Sequence, residues 1–180
     1  MRPPETLESR EMGPVYAEAE IDVPREVLFD YLMDYTTRPV VFGEDVSGFR
    51  LFGFESDGVG AGARFRLGRH GSWLGMSITD AERPVRISER GKTGRGNMTP
   101  AGFEWEFEVT PAGPTAVRLS YWTEVEGAAA VPDRFTGRAG WHTRLLKAAL
   151  ARLRLQVEEG RFDRDDLTVA GGNRFETGVP

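Results

Sequence analysis

The sequence predicts an α+β domain: a curved, seven-stranded antiparallel sheet wrapping a long C-terminal helix, with two short helices after the first strand. Three observations predict it. The stretch "YAEAEIDVPREVLFDYLMDYTTRP" alternates in twos up to Asp22, then, past Pro24, changes to a rhythm of threes and fours. Between Val46 and Val125, six apolar-patterned segments are separated by glycine- and proline-bearing turns. From Asp133 to Glu159 the apolar residues recur at helical spacing.

In the first strand Val15, Ala17, Ala19 and Ile21 alternate with Tyr16, Glu18, Glu20 and Asp22, as on a half-buried ribbon. Asp22 is in place to cap the following helix, and Pro24 sits where a first helical turn tolerates it. Val27, Leu28, Tyr31 and Leu32 form that helix's predicted buried face, and a second short turn is expected over Thr37–Phe42. The remaining strands are read in "SGFRLFGFES", "ARFRLGR", "WLGMSITD", "VRISERG", "FEWEFEVT" and "TAVRLSYWTEV". In the last helix Leu146, Ala149, Leu150, Leu153 and Val157 make one stripe, and Arg144, Lys147, Arg152 and Arg154 occupy the other face. One domain over residues 14–160 is expected, with a polar lead at 1–13 and a tail at 161–180 that lacks periodicity and reads as frayed.

Strand parity says which side chains meet in the interior. Phe103, Trp105, Phe107 and Val109 share one side of their strand, and Glu104, Glu106 and Glu108 the other. The preceding strand sets Arg86, Ser88, Arg90 and Lys92 against Val85, Ile87 and Glu89. Pairing the two as a hairpin brings the basic row to the acidic row on the solvent face and carries Glu89 inward. The same rule sends Phe65, Leu67 and Arg69 inward, then Leu74, Met76 and Ile78, then Leu119, Tyr121, Thr123 and Val125. With consecutive strands antiparallel, Arg69, Glu89, Tyr121 and Thr123 gather near one end, beside the glycine-rich loop 91–102. An apolar interior with a few polar groups at its mouth is the usual anatomy of a small-molecule site.

Composition bounds the chemistry. The 180-residue chain has 39% hydrophobic residues, a net charge of −5 and no cysteine. Thiol catalysis, disulfides and thiolate metal sites are excluded, and the acidic balance argues against nucleic acid or an anionic membrane as the main partner. No apolar run is long enough to span a membrane, and "MRPPETLESREMG" has no signal-like core, so a cytoplasmic location is expected and the sequon at Asn97 carries little meaning. Gly58, Gly60 and Ala63 satisfy G-x-G-x-x-A, but a strand follows instead of the helix that dinucleotide binding requires. "GKTG" at Gly91 lacks the upstream phosphate-loop glycine, with Arg86 in its place. His70 and His142 are read at a turn and near the helix start, so neither a metal site nor a Ser-His-acid constellation is expected, and no cofactor is implied.

The order strand, two helices, six strands and long helix resembles the SRPBCC superfamily. These are START-like proteins of helix-grip fold that include polyketide cyclase/dehydrase-like and lipid-transfer domains. The matching stretches are "EAEIDVPREVLFDYLMD", "GVGAGARFRL", "FEWEFEVTPAGPTAVRLSYWTEV" and "LLKAALARLRLQVEEG", within residues 14–160. The resemblance implies a hydrophobic cavity between sheet and long helix that holds a lipid, sterol, polyketide or aromatic compound. Members differ in what they do with it.

On this reading the ligand wall comprises Phe65 and Leu67, Met76, Ile87, Phe103, Trp105 and Phe107, Leu119 and Tyr121, with Leu145 and a mouth-closing Trp141 from the helix. Arg69 and Glu89 have two readings: a cavity pair in which arginine polarises a carbonyl and glutamate acts as base, or a salt bridge at the sheet end. Three functions follow: a binding protein for a small hydrophobic or aromatic ligand, a polyketide aromatase/cyclase or dehydratase using the same cavity, and a non-catalytic interaction module. Trp122, outward by parity, suggests a homodimer contact.

Overall fold

The computed structural model describes residues 10–68, 71–94, 98–125 and 138–159. Strand β1 (Arg10–Ile21) leads to helix α1 (Arg25–Met33), a 3-10 turn (Tyr35–Thr37), helix α2 (Arg38–Phe42) and a second 3-10 turn (Gly43–Asp45). Then come β2 (Val46–Leu51), β3 (Gly62–Leu67), β4 (Trp73–Glu82), β5 (Arg86–Gly94), β6 (Thr99–Val109), β7 (Thr115–Val125) and the long helix α3 (Arg138–Glu158). The strands form one antiparallel sheet in the order β1-β7-β6-β5-β4-β3-β2, so β1 and β2 are its edges.

Curvature has local causes. Register shifts interrupt β1 between Met12 and Val15, β2 between Ser47 and Arg50, and β4 between Ile78 and Asp80, and each bends its strand. At Gly91 the strands close up: a Cβ there would lie 1.9 Å from the Gly75 carbonyl oxygen, so β4 and β5 approach as only glycine allows. The curved sheet holds α3 against β1, β7 and α2, burying Leu146, Ala149, Leu150, Leu153 and Val157 as the helical spacing predicts. Gly58 (φ +85°) and Gly60 (φ +99°) turn the chain into β3, which confirms the hairpin reading of G-x-G-x-x-A.

The β5–β6 register places Arg86 opposite Glu106 and Ser88 opposite Glu104, so the basic and acidic rows do meet outside while Ile87, Phe103, Trp105 and Phe107 are buried. Several local expectations are corrected. Val27 is exposed, and α1 buries Leu28, Phe29 and Leu32 instead, because Phe29 turns edge-on to Phe107 at 6.1 Å. Asp22 does not cap α1; its N–H donates to Glu158 Oε1 at 2.9 Å and ties the end of β1 to the end of α3. Val85 and Val109 flank the β5–β6 strand ends and are exposed where the sheet runs past the helices. Strand β2 stops at Leu51, and Arg152 leaves the solvent face of α3 to donate to the Phe42 carbonyl at 2.6 Å. The lead before residue 10, the tail, and residues 133–137 of the expected last helix lie outside the described residues.

Candidate ligand-binding site

The inward face of the sheet has two halves, and the row Ile78–Glu89–Phe103–Tyr121 divides them. Below that row the space is filled. Phe42 of α2 packs 5.6 Å from Phe103 and 6.4 Å from Trp105, and Phe29 covers Phe107. Between these rings is a buried ion pair. Arg38 donates from Nε (3.1 Å) and Nη2 (2.8 Å) to Glu89 Oε1, with both residues 1% exposed. Trp105 Nε1 donates to the same oxygen at 2.8 Å, and Tyr35 Oη donates to Oε2 at 2.7 Å. The rest of the guanidinium is also satisfied: Nη2 donates to the Leu32 carbonyl, Nη1 to Thr37 Oγ1, and the plane lies over the Tyr35 and Trp105 rings. A buried ion pair is tolerable when its remaining donors and lone pairs are met like this. Desolvation, reinforced by the Glu89 charge, pushes the Tyr35 phenol well above its ordinary range, so it stays a donor.

Glu89 is thus inward, as parity requires, but its position and its partner differ from the sequence reading. Strand β5 continues to Gly94 and β6 begins at Thr99, which places Glu89 in mid-strand instead of at the sheet end. Its cation is Arg38. Arg69, like His70, lies outside the described residues. Four protein donors take up the Glu89 carboxylate, and this geometry makes it an anchor that pins α1, the 3-10 turn and α2 to the sheet.

Above the dividing row the inward positions of β5, β6 and β7 are small, Gly91, Thr93, Thr99, Ala101 and Thr123, all but Ala101 partly reached by solvent, whereas β3 and β4 present the large, buried Phe65, Leu67, Leu74 and Met76. Tyr121 lies 4.8 Å from Phe103, and its phenol is near the hydroxyls of Thr123 on its own strand and of Thr93 two strands away. Burial raises its pKa and those two hydroxyls pull it back, so the phenol is neutral near pH 7. His142 stacks on Tyr121 at 5.1 Å and 24°, and Trp141 stands edge-on to His142 at 4.8 Å. Trp141, 36% exposed, reaches the end of β3: a Cβ on Gly68 would fall 2.5 Å from its Cζ2. Leu145, one turn further along α3, is buried.

The predicted wall residues therefore divide. Ile87, Trp105, Phe107 and Leu119 belong to the filled lower half, whereas Phe65, Leu67, Met76, Phe103, Tyr121, Leu145 and Trp141 border or lie above the dividing row. Sequence reasoning missed Tyr35, Arg38 and Thr93. One signal pointed to Arg38: an inward glutamate needs a counter-charge, and Arg38 is the cation that opens the apolar run "PVVF". His142, read as a rim residue, is half-buried on Tyr121. Trp122 faces outward and is half-buried beneath the Arg90 guanidinium, 5.3 Å from its ring.

No family model matches the sequence, and no curated protein matches it. Solved structures do. Truncated norcoclaurine synthase from Thalictrum flavum superposes with a TM-score of 0.65 at 11% identity, covering 86% of this chain and 98% of that one. A START superfamily protein from Mycobacterium smegmatis gives 0.59 at 12% identity over 81% and 97% of the two chains. DynU16, from the dynemicin biosynthetic locus, gives 0.54 at 17% identity over 82% of this chain and 48% of that one. The curved sheet, its strand order and the enclosed C-terminal helix are thus those of the START-like, SRPBCC-type helix-grip fold.

Proposed function

We propose that the chain binds a small hydrophobic or aromatic ligand, lipid- or polyketide-like, between the upper inward face of the sheet and the start of α3. The observation that carries this reading is the contrast between the two halves. Below the dividing row, rings from α1 and α2 fill the interior, while above it the small side chains of β5, β6 and β7 lie between the large apolar side chains of β3 and β4 and a cluster of aromatic groups around the Tyr121 hydroxyl. A largely apolar wall with a few hydroxyls grouped around Tyr121 suits an apolar ligand with an oxygen function. Trp141 and His142 close the mouth from the helix side.

The test is native mass spectrometry of the purified chain together with displacement of a naphthalene-sulfonate dye by apolar compounds. Wild type is expected to carry or take up an apolar molecule, and Thr123→Trp, which fills the upper half, is expected to lose dye binding while keeping its fold. Dye binding of equal strength in Thr123→Trp would overturn the placement.

The second reading, a polyketide aromatase/cyclase or dehydratase, draws support from the Tyr121–His142 stack, which places two proton-carrying groups at one wall. In that reading Tyr121 and His142 hold the proton, and Glu89, saturated by internal donors, does not act as base. Turnover of an oxygenated aromatic precursor that survives in Tyr121→Phe and His142→Gln would refute it.

A further inference from the structure

The outer face of the sheet is divided by charge, which the net charge of −5 conceals. On β1, β7 and β6 it carries Glu18, Glu20, Glu104, Glu106 and Glu108 around Arg118. On β2, β3 and the adjoining end of β5 it carries Arg50, Arg64, Arg66 and Lys92, all exposed. None of these four meets a carboxylate within ion-pair distance among the described residues, whereas Arg118 pairs with Glu18 at 2.8 Å. Arg64 and Arg66 instead bracket the Trp73 ring at 4.3 and 4.6 Å. That indole reaches across β3 to the edge strand, where a Cβ on Gly48 would meet it at 3.0 Å. Phe52, 60% exposed, brings its Cζ to 3.3 Å from where a Cβ on Gly75 would lie, and Phe54 follows at 95% exposed. Beyond Phe54 the loop is tied back to the helical segment: the Ser56 carbonyl accepts from Tyr35 N, and Gly58 N donates to the Met33 carbonyl.

We propose that this basic, aromatic corner docks on an anionic membrane surface, with Arg50, Arg64, Arg66 and Lys92 against lipid phosphates and Phe52 and Phe54 entering the headgroup region. Charge complementarity selects an anionic partner. Two phenylalanines that are 60% and 95% exposed select a deformable one, because a protruding ring gains little from a rigid flat surface but is well placed in an interface. The cation–π contacts hold both guanidiniums in place, so little side-chain freedom is lost on docking. Arg66 and Trp73 sit at the same end of the sheet as Gly68 and Trp141, so docking would bring the mouth of the proposed site close to the lipid. The inference stands on the outer face alone and does not depend on the ligand reading.

The full chain is sedimented with phosphatidylcholine vesicles with and without phosphatidylglycerol. Binding is expected only to the anionic vesicles and should weaken with added salt. Removing each arginine is expected to lower the partition coefficient about fivefold, so Arg64→Ala/Arg66→Ala falls about 25-fold. Phe54→Ser weakens binding further, and Lys147→Ala, an equal charge loss on the solvent face of α3, leaves it unchanged, with circular dichroism confirming each fold. The proposal is overturned if wild type shows no preference for anionic vesicles, if the double variant binds like wild type, or if Lys147→Ala loses as much. It is also overturned if vesicles fail and immobilised polyglutamate, standing in for an acidic protein, retains the chain.

Discussion

Replacing Glu89 by Gln keeps the shape of the side chain and removes its charge. Arg38, 1% exposed, would then be a buried cation with no counter-charge. Breaking a buried pair from one side typically costs about 3–5 kcal/mol. Arg38→Met should cost a similar amount, since it leaves the carboxylate with only Tyr35 and Trp105 as donors. Removing both charges in Arg38→Met/Glu89→Leu strands one O–H and one N–H instead, each worth about 1–3 kcal/mol when left unsatisfied. The double variant is therefore expected to lose about 2–6 kcal/mol against about 6–10 for the sum of the singles, a coupling of about 4 kcal/mol between the midpoints. Urea unfolding followed by tryptophan fluorescence reads this directly: with a slope of about 2 kcal/mol/M, Glu89→Gln shifts the midpoint down by about 1.5–2.5 M. If Glu89→Gln does not fold, Tyr35→Phe reports on the same network at about 1–2 kcal/mol. A Glu89→Gln protein within about 1 kcal/mol of wild type, with additive singles, would refute the anchoring role. Loss of turnover at unchanged stability would return Glu89 to the candidate bases.

The buried phenols set an alkaline limit. Both Tyr35 and Tyr121 have pKa values raised above 10.0 in the fold, so the stability they contribute is complete below pH 10 and is lost as pH rises toward and through their folded values. Urea midpoints across that range should fall in wild type and flatten in Tyr35→Phe/Tyr121→Phe; parallel curves would count against the burial of both rings. Gly68 has φ +79° and lies under Trp141, so Gly68→Ala is expected to lose about 1–3 kcal/mol and to shift the Trp141 emission, while unchanged emission would contradict their contact. Gly91→Ala places a methyl on the Gly75 carbonyl and should lose more than about 3 kcal/mol by calorimetry; a neutral result would mean that β4 and β5 do not close there.

The sequence carried most of the fold because strand parity and helical spacing are local rules. The alternation in "FEWEFEV" needs only the pleat to send Phe103, Trp105 and Phe107 one way and the glutamates the other. The same rule predicted Glu89 inward without identifying what receives it. Its partner lies 51 residues away on a five-residue helix, and no local period links them. The missed helix face has a similar origin: Val27 and Phe29 flank Leu28 equally well on spacing, and only the edge-on contact with Phe107 decides between them. Charge failed differently. A net charge of −5 reads as a chain that avoids anionic surfaces, yet pairing β2 with β3 sets Arg50, Arg64 and Arg66 on one flank, while pairing β1, β7 and β6 gathers the glutamates on the other. Parity told which side chains face out, but strand order decides which outward side chains are neighbours. That order comes from β1 closing on β7, a pairing across about a hundred residues that no short stretch records. An overall charge therefore constrains partners only weakly once a sheet has sorted it, and the basic corner of this sheet is where such a sorted surface has its consequence.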